Sequence, residues 1–270
     1  MKKILSLSLC LLLLTALLSG CGSKPAASTT TGPLKVGVTA GPHEQIMEKV
    51  KELAKDQGLD IQLTVFSDYV QPNIHLFEKQ LDVNSYQHQP YLDKFNADQK
   101  MDLISIASTV NFPMGIYSNK IKSLSELKAG DKVSLPNDPT NGARSLILLQ
   151  SAGIIKLKEG SGLASTVKDI AENPLNLNFI ELEAPMVARS LPDVTAAAVN
   201  TNFAIEAGLN PVKDSIFIEP KDSPWVNVIA VRNDGSKDDP RIQQLIEVYQ
   251  SDAIKIFIEE TFDGSVVAGF

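Results

Sequence analysis

From Leu34 onward, short apolar runs alternate with amphipathic stretches of helical period, and this alternation fixes the fold class. Leu34–Thr39 reads as a strand, and Pro42 opens a helix whose stripe is Ile46, Met47, Val50, Leu53 and Ala54 before Gly58 ends it. Strands over 59–66, 81–85 and 103–108 then alternate with helices near 72–80 and 90–99. A βαβαβαβ order implies a mostly parallel sheet with helices on its faces. A second run follows. It has strands at 115–118, 132–135, 177–183, 196–199, 216–219 and 225–232. Its helices fall at 141–151, after Pro185, and at 202–207, with a Ser123/Glu126 capping box before a short one. One long helix is expected over 240–261. The apolar fraction of 43% is ordinary for a globular chain, so this much alternating structure can bury a core.

The segment before Leu34 has another character. Lys2 and Lys3 precede an apolar run from Ile4 to Leu18, which ends in Leu18-Ser19-Gly20-Cys21. A charged start, a short apolar stretch and small residues before a cut point are the parts of a secretory signal peptide. The run is shorter than the roughly 20 residues of a spanning helix. Leu-Ser-Gly-Cys has the shape of a bacterial lipobox, in which Cys21 takes the lipid and becomes the first mature residue. Two acyl chains suffice for stable anchoring where one does not. Residues 1–20 are thus expected to be a signal peptide. Residues 21–33, small and polar, are expected to be a flexible tether.

Only two cysteines occur, Cys10 within that signal segment and Cys21, so the body is expected to hold together without a disulfide or a thiolate metal site. The net charge of −7 argues against nucleic acid as a partner. No nucleophile elbow, phosphate-binding glycine loop, paired-histidine zinc motif or dinucleotide fingerprint is present. His43, His75 and His88 lack paired helical spacing, so neither an enzyme, a cofactor nor a metal site is expected.

Four polar and aromatic segments stand where strands end or helices begin: 66–73, 84–91, 136–146 and 223–228. In parallel α/β sheets ligands bind outside the carboxyl ends of strands. Arg144 falls in the first turns of its helix, and its planar fork matches a carboxylate in bidentate fashion. Each of these residues also has a plain structural reading. Arg144 could be a surface residue, Tyr69 and Tyr86 half-buried packing, His88 a cap, and Asn200 and Asn227 turn residues. Phe112 and Met114 read as core, and Asp68 and Glu44 as solvated or capping.

The same segments carry a resemblance. Val36-Gly37-Val38-Thr39-Ala40-Gly41-Pro42, Tyr69-Val70-Gln71-Pro72-Asn73, Gln87-His88-Gln89-Pro90-Tyr91-Leu92, Gly115-Ile116-Tyr117-Ser118, Pro136-Asn137-Asp138-Pro139-Thr140-Asn141 and Asn200 run the length of the chain. With the lipobox, the chain resembles the NlpA family of lipoproteins, methionine-binding components of methionine ABC importers. The resemblance implies an α/β, two-lobed fold like that of type II periplasmic binding proteins, with mixed sheets flanked by helices and a cleft between the lobes. It implies one lobe from 34–110 plus 226–270 and another from 111–225. By it, Arg144 takes the ligand carboxylate, and Asn200 and Asn227 hold its amino and carboxyl groups. Tyr69, Tyr86 and His88 wall the thioether. The implied partners are methionine or a related small ligand, an ABC permease with its ATPase, and the membrane through the lipid. The implied location is the extracytoplasmic face of a cell membrane.

Overall fold

The structure, a computed structural model, describes residues 32–221 and 223–270. The signal segment, Cys21 and nearly all of the tether lie outside the described residues.

The chain begins with β1 (Leu34–Thr39), α1 (Pro42–Asp56), β2 (Ile61–Phe66), α2 (Gln71–Phe77), β3 (Val83–His88), α3 (Gln89–Gln99) and β4 (Ile104–Asn111). It continues through β5 (Gly115–Tyr117), β6 (Lys132–Pro136), α4 (Pro139–Ser151), β7 (Lys156–Leu157), β8 (Ile170–Glu172) and β9 (Asn178–Leu182). Then come α5 (Ala184–Val187), β10 (Ala196–Val199), α6 (Thr201–Glu206), α7 (Pro211–Asp214) and β11 (Ser215–Ile218). The last stretch holds β12 (Val226–Val231), α8 (Pro240–Tyr249), α9 (Asp252–Phe262) and β13 (Val267–Ala268).

The architecture is two-lobed α/β. One sheet has six strands in the order β13-β4-β12-β3-β1-β2, the other five in the order β11-β5-β10-β6-β9. Each lobe has its own apolar cluster. Val36, Val38, Ile46, Val50, Ile229, Leu245 and Ile258 belong to the first, and Met114, Ile116, Val133, Leu135, Leu146 and Ala198 to the second. Pro33–Phe270 nevertheless form a single compact unit.

Three expectations are corrected. The first sheet is less parallel than βαβαβαβ suggested. β1 pairs parallel with β2 and β3, but β12 returns from the far end of the chain and inserts antiparallel between β3 and β4. An apolar strand fits between two neighbours in either direction, so its sequence carried no sign of this. The single helix expected over 240–261 is two. Gln250 ends α8, and Ser251, in extended conformation, caps α9 by accepting from the Ile254 amide. Helical spacing continues across the break, which hides it from a periodicity argument. The capping box at Ser123 is also rearranged. Ser123 accepts from Ser125 N, while Glu126 accepts from Lys122 N, around one 3₁₀ turn. The short hairpin of β7 and β8 and the edge strand β13 had no sequence signal.

A β-bulge interrupts the pairing of β3 with β12. Asn227 pairs with His88 and Val228 with Gln87, but Ile229 pairs with Ser85, so Tyr86 is the extra residue. A bulge of this kind redirects a side chain.

Candidate functional site

The carboxyl ends of β2, β3 and β4 and the start of β12 meet the carboxyl ends of β6 and β10 across a narrow cleft. It encloses about 350 Å³ of space not filled by protein atoms, counted out to its mouth. Tyr69, Tyr86, His88, Arg144, Asn200 and Asn227 all line it. His43, Phe112, Asn141, Thr201 and Asn202 join them. Larger depressions lie outside it, such as the 1030 Å³ one along Asp68, Asn137 and Glu183.

The aromatic wall comes from the first lobe. The Tyr69 ring lies 5.9 Å from that of Tyr86, 5.9 Å from Tyr91 and 4.9 Å from Phe203 of the second lobe. Both tyrosine hydroxyls point at one backbone oxygen: Tyr86 donates to Tyr69 O at 2.7 Å and Tyr91 at 2.9 Å. The rings are thus fixed before anything binds. On the opposite side, the His43 ring sits 4.5 Å from Phe112.

A polar chain crosses the cleft. His88 Nδ1 accepts from Tyr91 N at 3.1 Å, which leaves the proton on Nε2, 3.3 Å from Asn141 Oδ1. Asn200 Nδ2 donates to the same oxygen at 2.8 Å. Asn141 Nδ2 donates in turn to both oxygens of Asp138, at 3.1 and 3.0 Å. Asp138 caps α4 by accepting from Asn141 N, and its burial raises its pKa. A second link across the cleft runs from Tyr69 Oη to Asn202 Oδ1 at 2.6 Å. Burial pushes the pKa of both His43 and His88 down to about 3, so both are neutral at pH 7. His43 Nε2 lies 3.4 Å from the Asn227 amide nitrogen, which also donates to Tyr86 O at 3.1 Å. The His43 proton therefore sits on Nδ1.

Among the described residues, Arg144 is the only charged one lining the cleft. It is 3% exposed, and its guanidinium packs over the Trp225 ring at 5.0 Å. Its Nε donates to Glu219 Oε1 at 2.8 Å and its Nη2 to Glu219 Oε2 at 2.5 Å. Nη2 also donates to Phe112 O at 2.7 Å. The bidentate edge expected for a ligand carboxylate is therefore occupied by Glu219, and Nη1 is the nitrogen left to face the cleft.

Among the described residues six buried side-chain polar atoms lack a protein partner, and three of them belong to cleft-lining residues: Asn200 Oδ1, an acceptor, with Asn202 Nδ2 and His43 Nδ1, both donors. An unsatisfied buried group costs about 1–3 kcal/mol, and a polar ligand that paired these three would recover that cost. Around them the cleft offers donors, an acceptor, one cationic edge and an aromatic wall, and no activated nucleophile. Among the described residues, no three His, Cys, Asp or Glu side chains gather as a metal site would need.

Sequence reasoning missed His43, Asn141, Asn202 and Glu219 as site residues and placed Phe112 in the core alone. Asn141 stood inside a segment already singled out. Glu219 had no signal, since an acidic residue after a strand looks solvated until its burial is seen.

The family model for NlpA lipoprotein matches residues 34–270. The chain belongs to the NlpA lipoprotein family. It is 45% identical over 256 residues to the D-methionine-binding lipoprotein MetQ of Escherichia coli, covering 94% of this chain and 93% of that protein. It is 40% identical to outer membrane lipoprotein 3 of Mannheimia haemolytica, over 99% of this chain and 100% of that one. Among solved structures, it resembles a nutrient binding protein from Burkholderia cenocepacia bound to methionine. That likeness has a TM-score of 0.86 and 46% identity, over 88% of this chain and 100% of the other.

Proposed function

We propose that this NlpA-family lipoprotein captures methionine in the interlobe cleft on the extracytoplasmic face of the membrane and hands it to an ABC importer. The lobes divide as 34–110 plus 226–270 and 111–225. The ligand carboxylate meets Arg144 Nη1, with the Asn227 region beside it. The ammonium is received by Asn200 Oδ1. The thioether lies against Tyr69, Tyr86 and His88, where sulfur–ring contacts contribute about 0.3–1.5 kcal/mol. No bond is made or broken. The observation that carries the reading is the pairing of one cationic edge with unpaired buried amide atoms beside an aromatic wall. That is the complement of a small zwitterion with an apolar tail. Tyr69–Asn202 and His88–Asn141 contacts span the cleft only when it is shut, so a ligand that bridges the lobes selects the closed state. Cys21 carries the lipid.

Two experiments test this. Protein freed of ligand by unfolding and refolding should melt higher with methionine. At 100 times the dissociation constant the stabilisation is about 2.7 kcal/mol. No shift with L-methionine, D-methionine or glycyl-methionine would refute the ligand class. Wild-type protein should partition into the detergent phase on extraction and Cys21→Ala into the aqueous phase; equal partitioning would refute the anchor.

A further inference from the structure

The cation of the cleft does not stand alone. Glu219 is 8% exposed and lies at the end of β11, just before the chain crosses back toward the first lobe. Its carboxylate holds Nε and Nη2 of Arg144, and Oε2 also accepts from Met114 N at 2.9 Å. Met114 lies on the other crossing, beside Phe112, whose carbonyl takes a further proton of Nη2. Arg144 is therefore pinned by both crossings at once. Two consequences follow from charge and geometry. The pair is net neutral, so with His43 and His88 neutral the cleft lining taken together with Glu219 carries no net charge. Asp138, a further carboxylate, is tied to Asn141 and Thr140 and lines the outer depression. Moreover, Arg144 can offer a ligand carboxylate only one nitrogen.

We propose that Glu219 is the positioning and specificity-determining residue of this cleft. It turns Arg144 into a single-edged donor of a neutral pair, which favours a zwitterion over an anion of the same shape. The proposal rests on the methionine reading. A ligand that brings both charges leaves the closed cleft neutral. A ligand that brings only a carboxylate leaves one uncompensated buried negative charge, which is costly in a medium of low polarity. Removing the charge of Glu219 reverses the balance. The guanidinium becomes an unpaired cation, and an anion then suits it better than a zwitterion does.

The probes are methionine and 4-(methylthio)butanoate, which is methionine without its ammonium. Calorimetry gives the affinity ratio of the two for wild type, Glu219→Gln and Glu219→Asp, with circular dichroism reporting folding. Wild type should prefer methionine. In Glu219→Gln that preference should shrink at least tenfold. In Glu219→Asp, which keeps the charge on a shorter arm, both affinities should fall while the ratio stays within threefold of wild type. A merely structural role would weaken both ligands alike. An unchanged ratio in folded Glu219→Gln would therefore overturn the proposal. So would a collapsed ratio in Glu219→Asp, which also carries the test if Glu219→Gln does not fold. Failure of wild type to bind methionine at all would refute the functional reading, and this inference with it.

Discussion

Under the proposed function Arg144 serves two purposes, and its substitution separates them. Arg144→Ala strands Glu219 as a buried, unpaired carboxylate, and breaking such a pair costs about 3–5 kcal/mol of stability. It also removes the only cation lining the cleft, so methionine affinity should fall several-hundred-fold, equivalent to a similar free energy. Replacing both partners with apolar residues, as in Arg144→Met with Glu219→Leu, should recover most of the melting temperature without recovering binding. If binding returns with stability, Arg144 is only structural. Tyr86→Phe offers a contrast. Its hydroxyl holds Tyr69 O, an oxygen that Tyr91 also holds, so the substitution should cost about 1 kcal/mol in melting experiments and change affinity less than threefold. A tenfold loss would mean the hydroxyl itself meets the ligand. Local segments singled out five of the six expected residues and the resemblance added Asn200 and the roles, but several amides in the same segments are structural. Asn73, Asn84 and Gln87 bond one another in a buried amide network at 2.7–3.1 Å and fasten α2 to β3. Ligand-facing and scaffold amides look the same in sequence, because only burial and partner distinguish them.

The elements that carry the site are held close by small residues and by neutral rings. In the first turn of α4, a Cβ added to Gly142 would stand 2.9 Å from Pro136 O. Gly142→Ala should push α4 off the end of β6 and carry Asn141 and Arg144 with it. Overpacking of this kind costs about 1–3 kcal/mol, and affinity should fall along with the melting temperature. Unaltered binding would show that α4 has slack. His43 on α1 and His88 at the cap of α3 give the fold a pH dependence. Their folded pKa values, pushed to about 3, lie below the unfolded value near 6.5. Between those limits the unfolded chain binds more protons, so stability is full above about pH 6.5 and is lost as pH falls toward 3, by about 1.4 kcal/mol per pH unit for each ring. Asp138, with its raised pKa, acts in the opposite sense, adding stability at low pH that fades as pH rises through its folded value. Thermal melting at pH 7 and pH 4.5 should show a clear fall, and His43→Asn should roughly halve the histidine contribution. A flat profile would contradict neutral burial of the rings. Element positions were legible because apolar period and start signals such as Pro42 are local. Sheet order was not, because strand β12 meets β3 and β4 only after more than a hundred intervening residues.

At the scale of the whole molecule, two separately cored lobes meet around a cleft crossed by the Tyr69–Asn202 and His88–Asn141 hydrogen bonds and the Tyr69–Phe203 ring contact. Opening on this plan breaks these few contacts and leaves each lobe's core intact. Small-angle scattering should therefore give a larger radius of gyration for refolded, ligand-free protein than for protein saturated with methionine. Identical curves would mean a rigid, permanently closed pocket. The two-lobed plan was legible only through family resemblance, since no composition shift marks the chain crossings near residues 112 and 220. The resemblance could not show that Glu219 takes the bidentate edge of Arg144, because that pairing joins residues 75 apart in sequence. The central claim is that this cleft takes up one methionine. Its most direct test is calorimetric titration of refolded, ligand-free protein with methionine, wild type beside folded Arg144→Ala. Saturable binding of one methionine per chain is expected, lost or weakened several-hundred-fold in the variant. No heat with either methionine enantiomer, or binding within threefold of wild type in Arg144→Ala, would contradict it.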